Sequence, residues 1–193
     1  MPAVASFVPS LLRFVANARG EGDEGRAHRI TGLLGRLTVV VLAIIALAMF
    51  LYRDEIVASR QIRVIHVYYA IAVLLAGGSY QFVRNLCYAM GRVGTYSALE
   101  FVAGLGFGSA LLLLVLFDLP DHLLLAFVVS HLIFAVGGLF LFRRPPTHTA
   151  KKPVEYSAIF AYSFWAFIAT SASWGIRELS VIISADFADL KGA

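Results

Sequence analysis

A chain of 193 residues that is 60% hydrophobic and 15% charged, with mean hydropathy +0.80, lies outside the range of soluble domains, which run near ~45–50% apolar and ~25% charged. The composition predicts a polytopic membrane protein. The formal charge of +4 does not point to nucleic acid, because the basic residues stand between apolar runs and not along one face, and the lone Cys87 excludes an intrachain disulfide or a cysteine metal cluster.

The opening stretch MPAVASFVPSLLRFVANAR carries an Ala16-Asn17-Ala18 triplet that resembles a cleavage site. It has no basic n-region, and Arg13 interrupts the apolar run. The expectation is the end of a membrane helix whose beginning is missing. Five full spans follow. The first is 37–52, LTVVVLAIIALAMFLY, lengthened by 31–35. The second is 64–83, VIHVYYAIAVLLAGGSYQFV, between Arg63 and Arg84. The third is 101–117, FVAGLGFGSALLLLVLF, extending back toward Thr95. The fourth is 122–142, HLLLAFVVSHLIFAVGGLFLF, and the fifth is 156–176, continuing to about 184. None alternates with period two, so helices are predicted over a barrel. The fold class is all-α: a polytopic transmembrane helix bundle. Asp118-Leu119-Pro120-Asp121 reads as a tight hairpin with Pro120 starting the next helix. RRPPTHTAKKP, 143–153, is the one strongly loop-like linker and is taken as a domain boundary.

Eleven basic residues fall on one side of these spans, in 13–36, 84–92 and 143–152; three, Arg53, Arg60 and Arg63, fall on the other. The basic side is therefore predicted to be cytoplasmic, with loops 18–36, 84–95 and 143–155 inside the cell. Charged groups at membrane depth must pair, snorkel or face water. Arg84 is either a snorkelling helix terminus or the cationic wall of a cavity. Glu100 either pairs with Arg84 or Arg92, stays wet, or takes part in ion coupling. Arg177 and Glu178 point about 100° apart on a helix, so either one turns inward or both lie in the headgroup zone. His131, beside Ser130, is either a hydrogen-bonded interior histidine or a proton relay. Gly104 and Gly108 form a GxxxG pair, with Gly106 and Ala110 a second small pair, which predicts close helix packing inside the bundle. Tyr156 and Trp174 are spaced as an aromatic belt. No P-loop, HExxH or GxGxxG pattern occurs, and His66, His122 and His131 lie at different helix levels. No enzyme activity, cofactor, metal or catalytic residue is expected.

Three stretches resemble one family. LLRFVANARGEGDEGRAHRITGLLGRL is similar to the cytoplasmic loop after the second helix of oligosaccharide flippases, the polysaccharide-biosynthesis branch of the MATE-type exporter superfamily, with Arg13, Gly22-Asp23 and Ala27 at the corresponding places. GSYQFVRNLCYAMGRVGTYSALEF resembles their fourth-helix end, Gly-Arg turn and fifth-helix start, and YSFWAFIATSASWGIRELSVIISADFADLKGA their seventh helix. The resemblance implies two lobes around a central cavity that move lipid-linked sugars by alternating access. Residues 1–142 would be the remainder of the N-terminal lobe, 143–155 a cytoplasmic linker, and 156–193 the first helix of a truncated second lobe. Arg84 and Arg177 would contact substrate phosphate, and Glu100, Glu178 and His131 would serve ion coupling. The implied partners are a lipid-linked oligosaccharide, membrane lipids and the missing second lobe, in the inner or plasma membrane. A drug or cation exporter of the same superfamily and a non-transporting scaffold or anchor subunit remain alternatives.

Overall fold

The computed structural model describes residues 7–142, 150 and 152–191, with side chains at 141, 174, 175 and 177–191 outside the description. Every regular element among the described residues is helical. A first rod comprises α1 (Phe7–Ser10), a π-helical turn (Leu11–Val15) and α2 (Ala16–Gly20). Then follow α3 (Glu24–Leu51), α4 (Arg53–Arg60), α5 (Val64–Ala89), α6 (Val93–Leu116), a 3₁₀ turn (Pro120–His122), α7 (Leu124–Phe142) and α8 (Tyr156–Lys191). Among the described residues, four helices are long and apolar enough to cross a membrane: Glu24–Leu51, Val64–Ala89, Val93–Leu116 and Pro120–Phe140. The fifth expected span falls in α8, whose last part carries no described side chains.

Several helices run further than the sequence reading placed them. The segment 18–36 is not a loop. The chain turns only at 21–23, and Arg26, Arg29 and Arg36 ride on the first turns of α3. At about 1.5 Å per residue, the 28 residues of α3 span roughly 42 Å, so Arg26 and Arg29 at its start stand clear of a ~30 Å hydrocarbon core. Arg84 lies inside α5, and the turn expected over 84–95 is confined to 90–92. The basic loop over 53–63 also contains a helix, α4, which ends where Gln61 takes a left-handed backbone. Apolar content marked the hydrocarbon-spanning part of each helix, but backbone hydrogen bonding carried the helices past it.

Two short turns at one end of the bundle share one chemistry. Gly22 and Gly91 both adopt positive φ. Around Gly22 the amides of Gly22 and Asp23 bond back to the carbonyls of Arg19 and Ala18; around Gly91 those of Gly91 and Arg92 bond to Tyr88 and Cys87. This is the Schellman closure that glycine permits without a Cβ penalty. The residue after Gly22 then starts the next helix: Asp23 Oδ1 accepts the Arg26 amide at 2.9 Å, a side-chain N-cap. Arg19 donates to the Met90 carbonyl and so joins the two turns.

The packed core sits at this same end. Leu11 and Val15 of the π turn, Ile30 and Leu34 of α3, Val83 and Leu86 of α5, Phe134 of α7 and Ile159 of α8 are all buried together. Close approach is made at glycines: a Cβ on Gly78 would meet Leu42 at 2.6 Å, on Gly137 Leu99 at 2.7 Å, and on Gly106 and Gly138 it would overlap Ile133 and Val83. The expected Gly104–Gly108 pair does not pack; nothing lies within 4 Å of a Cβ built on either. From that stretch Gly106, against Ile133, and Phe107, whose ring lies 5.0 Å from that of Phe127, make the α6–α7 contact.

At the opposite end, the Arg63 guanidinium pairs with Asp121 at 2.7 Å, and Tyr69 shares a hydrogen bond with His122. The 118–122 hairpin is thereby tied to the start of α5. The α8 helix joins the rest through the first rod: Ser10 and Ser163 hydroxyls bond at 2.7 Å, both buried, and the Tyr162 ring meets Phe14 edge-on at 5.7 Å. Residues 143–149 and 151 of the expected linker, and the Arg177 and Glu178 side chains, lie outside the described residues.

Candidate functional site

The 90–92 turn is short enough to make α5 and α6 antiparallel neighbours, and helical spacing then selects which side chains meet. Tyr80, Arg84 and Tyr88 recur every fourth residue on α5, and Tyr96 and Glu100 do so on α6, so each set shares a face. The two faces converge. Tyr88 and Tyr96 rings lie 5.0 Å apart between centroids, and the Arg84 guanidinium carbon is 6.0 Å from the Tyr96 ring centroid. One level deeper, the Tyr80 hydroxyl lies 3.1 and 3.2 Å from the two carboxylate oxygens of Glu100, to which it donates.

The α7 helix completes the group. Tyr80 packs edge-on against His131 at 4.7 Å and against Phe134 at 4.6 Å, and Tyr96 also touches Phe134 at 5.9 Å. His131 Nδ1 lies 2.6 Å from the Phe127 carbonyl. A carbonyl only accepts, so Nδ1 is the donor in this contact.

Counting about 1.5 Å per residue from the helix ends at 89 and 93 sets the depth of these groups. Arg84 lies about 8 Å in, Glu100 about 10 Å and Tyr80 about 14 Å. The group therefore runs about 14 Å along the helices from the 90–92 turn. Tyr80, Arg84, Tyr96 and His131 are half-buried and Glu100 is exposed. None of the ion pairs among the described residues includes Arg84 or Glu100, so they do not neutralise each other. Glu100 pairs with neither Arg84 nor Arg92; its hydrogen-bond partner is Tyr80, and Arg92 lies over Phe142 at 5.1 Å.

Three of the five residues singled out from the sequence, Arg84, Glu100 and His131, thus gather around two tyrosines that the sequence reading passed over. The signal was present as Tyr80-x₃-Arg84-x₃-Tyr88 and Tyr96-x₃-Glu100. Charge alone drew attention to the ionised members and left their neutral connectors unnoticed. The arrangement can hold an anion at Arg84 and a proton or cation at Glu100, on one face. No group of three or more His, Cys, Asp or Glu able to hold a metal ion occurs among the described residues.

No curated protein and no solved structure matches the chain. A family model described as polysaccharide biosynthesis protein matches residues 6–192. That match spans nearly the whole chain and coincides with a bundle of apolar, membrane-length helices. The chain belongs to the polysaccharide biosynthesis protein family.

Proposed function

We propose that the protein moves a lipid-linked oligosaccharide, a polysaccharide precursor, across the cytoplasmic membrane by alternating access, as a relative of the MATE-type exporters. Such transport needs no covalent chemistry from the protein. It needs a polar face within a membrane bundle, a cation for phosphate, an ionisable group whose charge can change, and a second lobe of helices against which the first can rock. Arg84 is the phosphate contact on this reading, with Arg177 its counterpart on the last helix. Glu100 and His131, joined through Tyr80, are the coupling groups, with Glu178 the acidic candidate on α8. The turns at 21–23 and 90–92, with 143–155, face the cytoplasm.

The observation that carries this reading is the placement of Arg84 and Glu100 on one face of the bundle, within the helices and without an ion pair between them. A salt-bridged pair would be a structural cross-tie; two separated charges beside tyrosines leave each one available to a ligand. Flipping of a fluorescent polyprenyl diphosphate oligosaccharide in proteoliposomes tests it. Arg84→Ala is expected to weaken substrate dependence, and Glu100→Gln to flatten the response to an imposed proton or sodium gradient. Wild-type flipping by both variants would remove the assignment. Export of an organic cation with no glycolipid flipping would favour the drug-exporter reading.

A further inference from the structure

A second polar site lies at the same end of the bundle and is built from other elements. A cavity of about 570 Å³ opens between the first rod, the 21–23 turn and the segment leading into α8. Its charged lining is Arg13, Arg26 and Lys152 against Glu21 and Glu155, with Phe14 as an apolar wall. That volume falls in the range of small-molecule sites, about 300–1,000 Å³, far more than a side chain needs.

The donors are incompletely used. Arg13 sits at the centre of the π-helical turn, a distortion often found at functional positions. Its guanidinium carbon lies 4.7 Å from the Tyr162 ring centroid and 5.6 Å from that of Phe14, and it joins no ion pair among the described residues. Stacking on neutral rings holds the guanidinium in place while leaving its N–H edge and full charge for an anion. Arg26 is also short of acceptors: it reaches Glu21 Oε2 at 3.3 Å, and its Nε is buried without a partner. The same Glu21 oxygen takes Lys152 Nζ at 2.8 Å, so one carboxylate serves two cations. On the other wall, Glu155 makes no ion pair among the described residues, which makes it an acceptor for hydroxyls and not a partner for phosphate.

We propose that this cavity binds a hydroxyl-bearing phosphate ester, with the phosphate on the fork of Arg13 and on Lys152, Arg26 behind them, and the ester's hydroxyls donating to Glu155. Phe14 offers the flat surface on which a carbon skeleton rests. Two sources carry this chemistry: a free sugar or glycerol phosphate, and the headgroup of a hydroxylated phospholipid in the adjoining leaflet. The site is separate from Arg84 and Glu100, and its occupancy is read by binding alone, so transport failing or succeeding does not decide it.

The test uses the full chain in nanodiscs. Calorimetric titration with glycerol 3-phosphate in phosphatidylcholine discs addresses the free source; thermal stabilisation in phosphatidylglycerol over phosphatidylcholine discs addresses the lipid source. Arg13→Ala is expected to weaken whichever response appears by about tenfold. Arg13→Lys, which keeps the charge but not the fork, is expected to fall between. Glu155→Gln is expected to weaken glycerol 3-phosphate while leaving inorganic phosphate unchanged. A response in either arm that depends on Arg13 supports the site and names its source. No response in either arm, or one that Arg13→Ala leaves intact while that variant melts like the wild type, overturns it. Equal affinity for inorganic phosphate and glycerol 3-phosphate overturns the role of Glu155.

Discussion

Asp23→Ala should loosen the end of the bundle where the chain's first rod, α3 and α8 meet. Asp23 is 3% exposed, and its two carboxylate oxygens serve different parts of the chain. Oδ1 accepts the Arg26 amide at 2.9 Å and caps α3; Oδ2 accepts the Lys152 amide at 3.0 Å, from 129 residues away. Losing an N-cap costs about 1 kcal/mol. Leaving a partly buried amide without its acceptor costs about 1–3 kcal/mol more. The expected loss is thus about 2–4 kcal/mol, not the few tenths of an exposed substitution. Asp23→Asn keeps one acceptor oxygen but turns an NH₂ toward the other amide, so it should lose about half as much. Unfolding of the purified protein by dodecyl sulfate titration in mixed micelles measures the loss. Hydrogen exchange at the Lys152 amide reports the second bond on its own and should accelerate by about tenfold or more. If Asp23→Ala unfolds within about 0.5 kcal/mol of wild type and Lys152 exchange is unchanged, the carboxylate does not join these elements.

Glycine substitutions should separate packed from open faces. Gly138→Ala drives a Cβ into Val83, whose branched side chain has little rotamer freedom, and should cost about 1–3 kcal/mol in the same titration. Gly104→Ala meets open space and should be neutral or slightly stabilising; a loss as large as that of Gly138→Ala would place a neighbour against Gly104. Acid should release the clasp of Lys152 on Glu21. The hydrogen bond and charge of Lys152 hold the Glu21 carboxyl below its ordinary 4.5, so the tie is fully present above that pH and is lost as pH falls through the lowered value. Wild type and Glu21→Gln should therefore differ in melting temperature at pH 7 and converge in acid; a difference that persists at pH 3 would contradict it.

Much of the fold was legible because one property, apolar length, dominates a membrane chain. Helix order, the Pro120 turn and the four membrane-length helices between 24 and 140 follow from it. Helix ends were less legible. They are set by local closures such as the glycines at 22 and 91 and the cap at Asp23, which composition windows average away. The GxxxG reading failed for a related reason. Spacing shows that Gly104 and Gly108 share a face, but which face meets α7 depends on the rotation of α6 about its axis. That rotation is fixed by Gly106 against Ile133 and by Leu99 against Gly137, contacts no single-helix pattern contains.

The same rotation bears on what surrounds the candidate site. Tyr96, Glu100, Gly104 and Gly108 follow one another at intervals of four, so the open glycines continue the face that carries the carboxylate. Phe101 and Leu105 are each more than half exposed and turn about 100° away from Glu100 and Gly104, the side suited to lipid tails. A carboxylate at this depth is costly against hydrocarbon, and Tyr80 offers it only a neutral donor. Its stripe therefore belongs against water or another polypeptide, and the two glycines, which admit either a close backbone or a file of water, are compatible with both. Cysteine scanning along positions 96, 100, 104 and 108 decides between these surroundings and lipid. Labelling by a membrane-impermeant maleimide at all four, with none at 101 and 105, is the expected pattern for a wet or intermittently covered face. The reverse pattern would put the Glu100 stripe in lipid and remove the physical basis for treating it as functional.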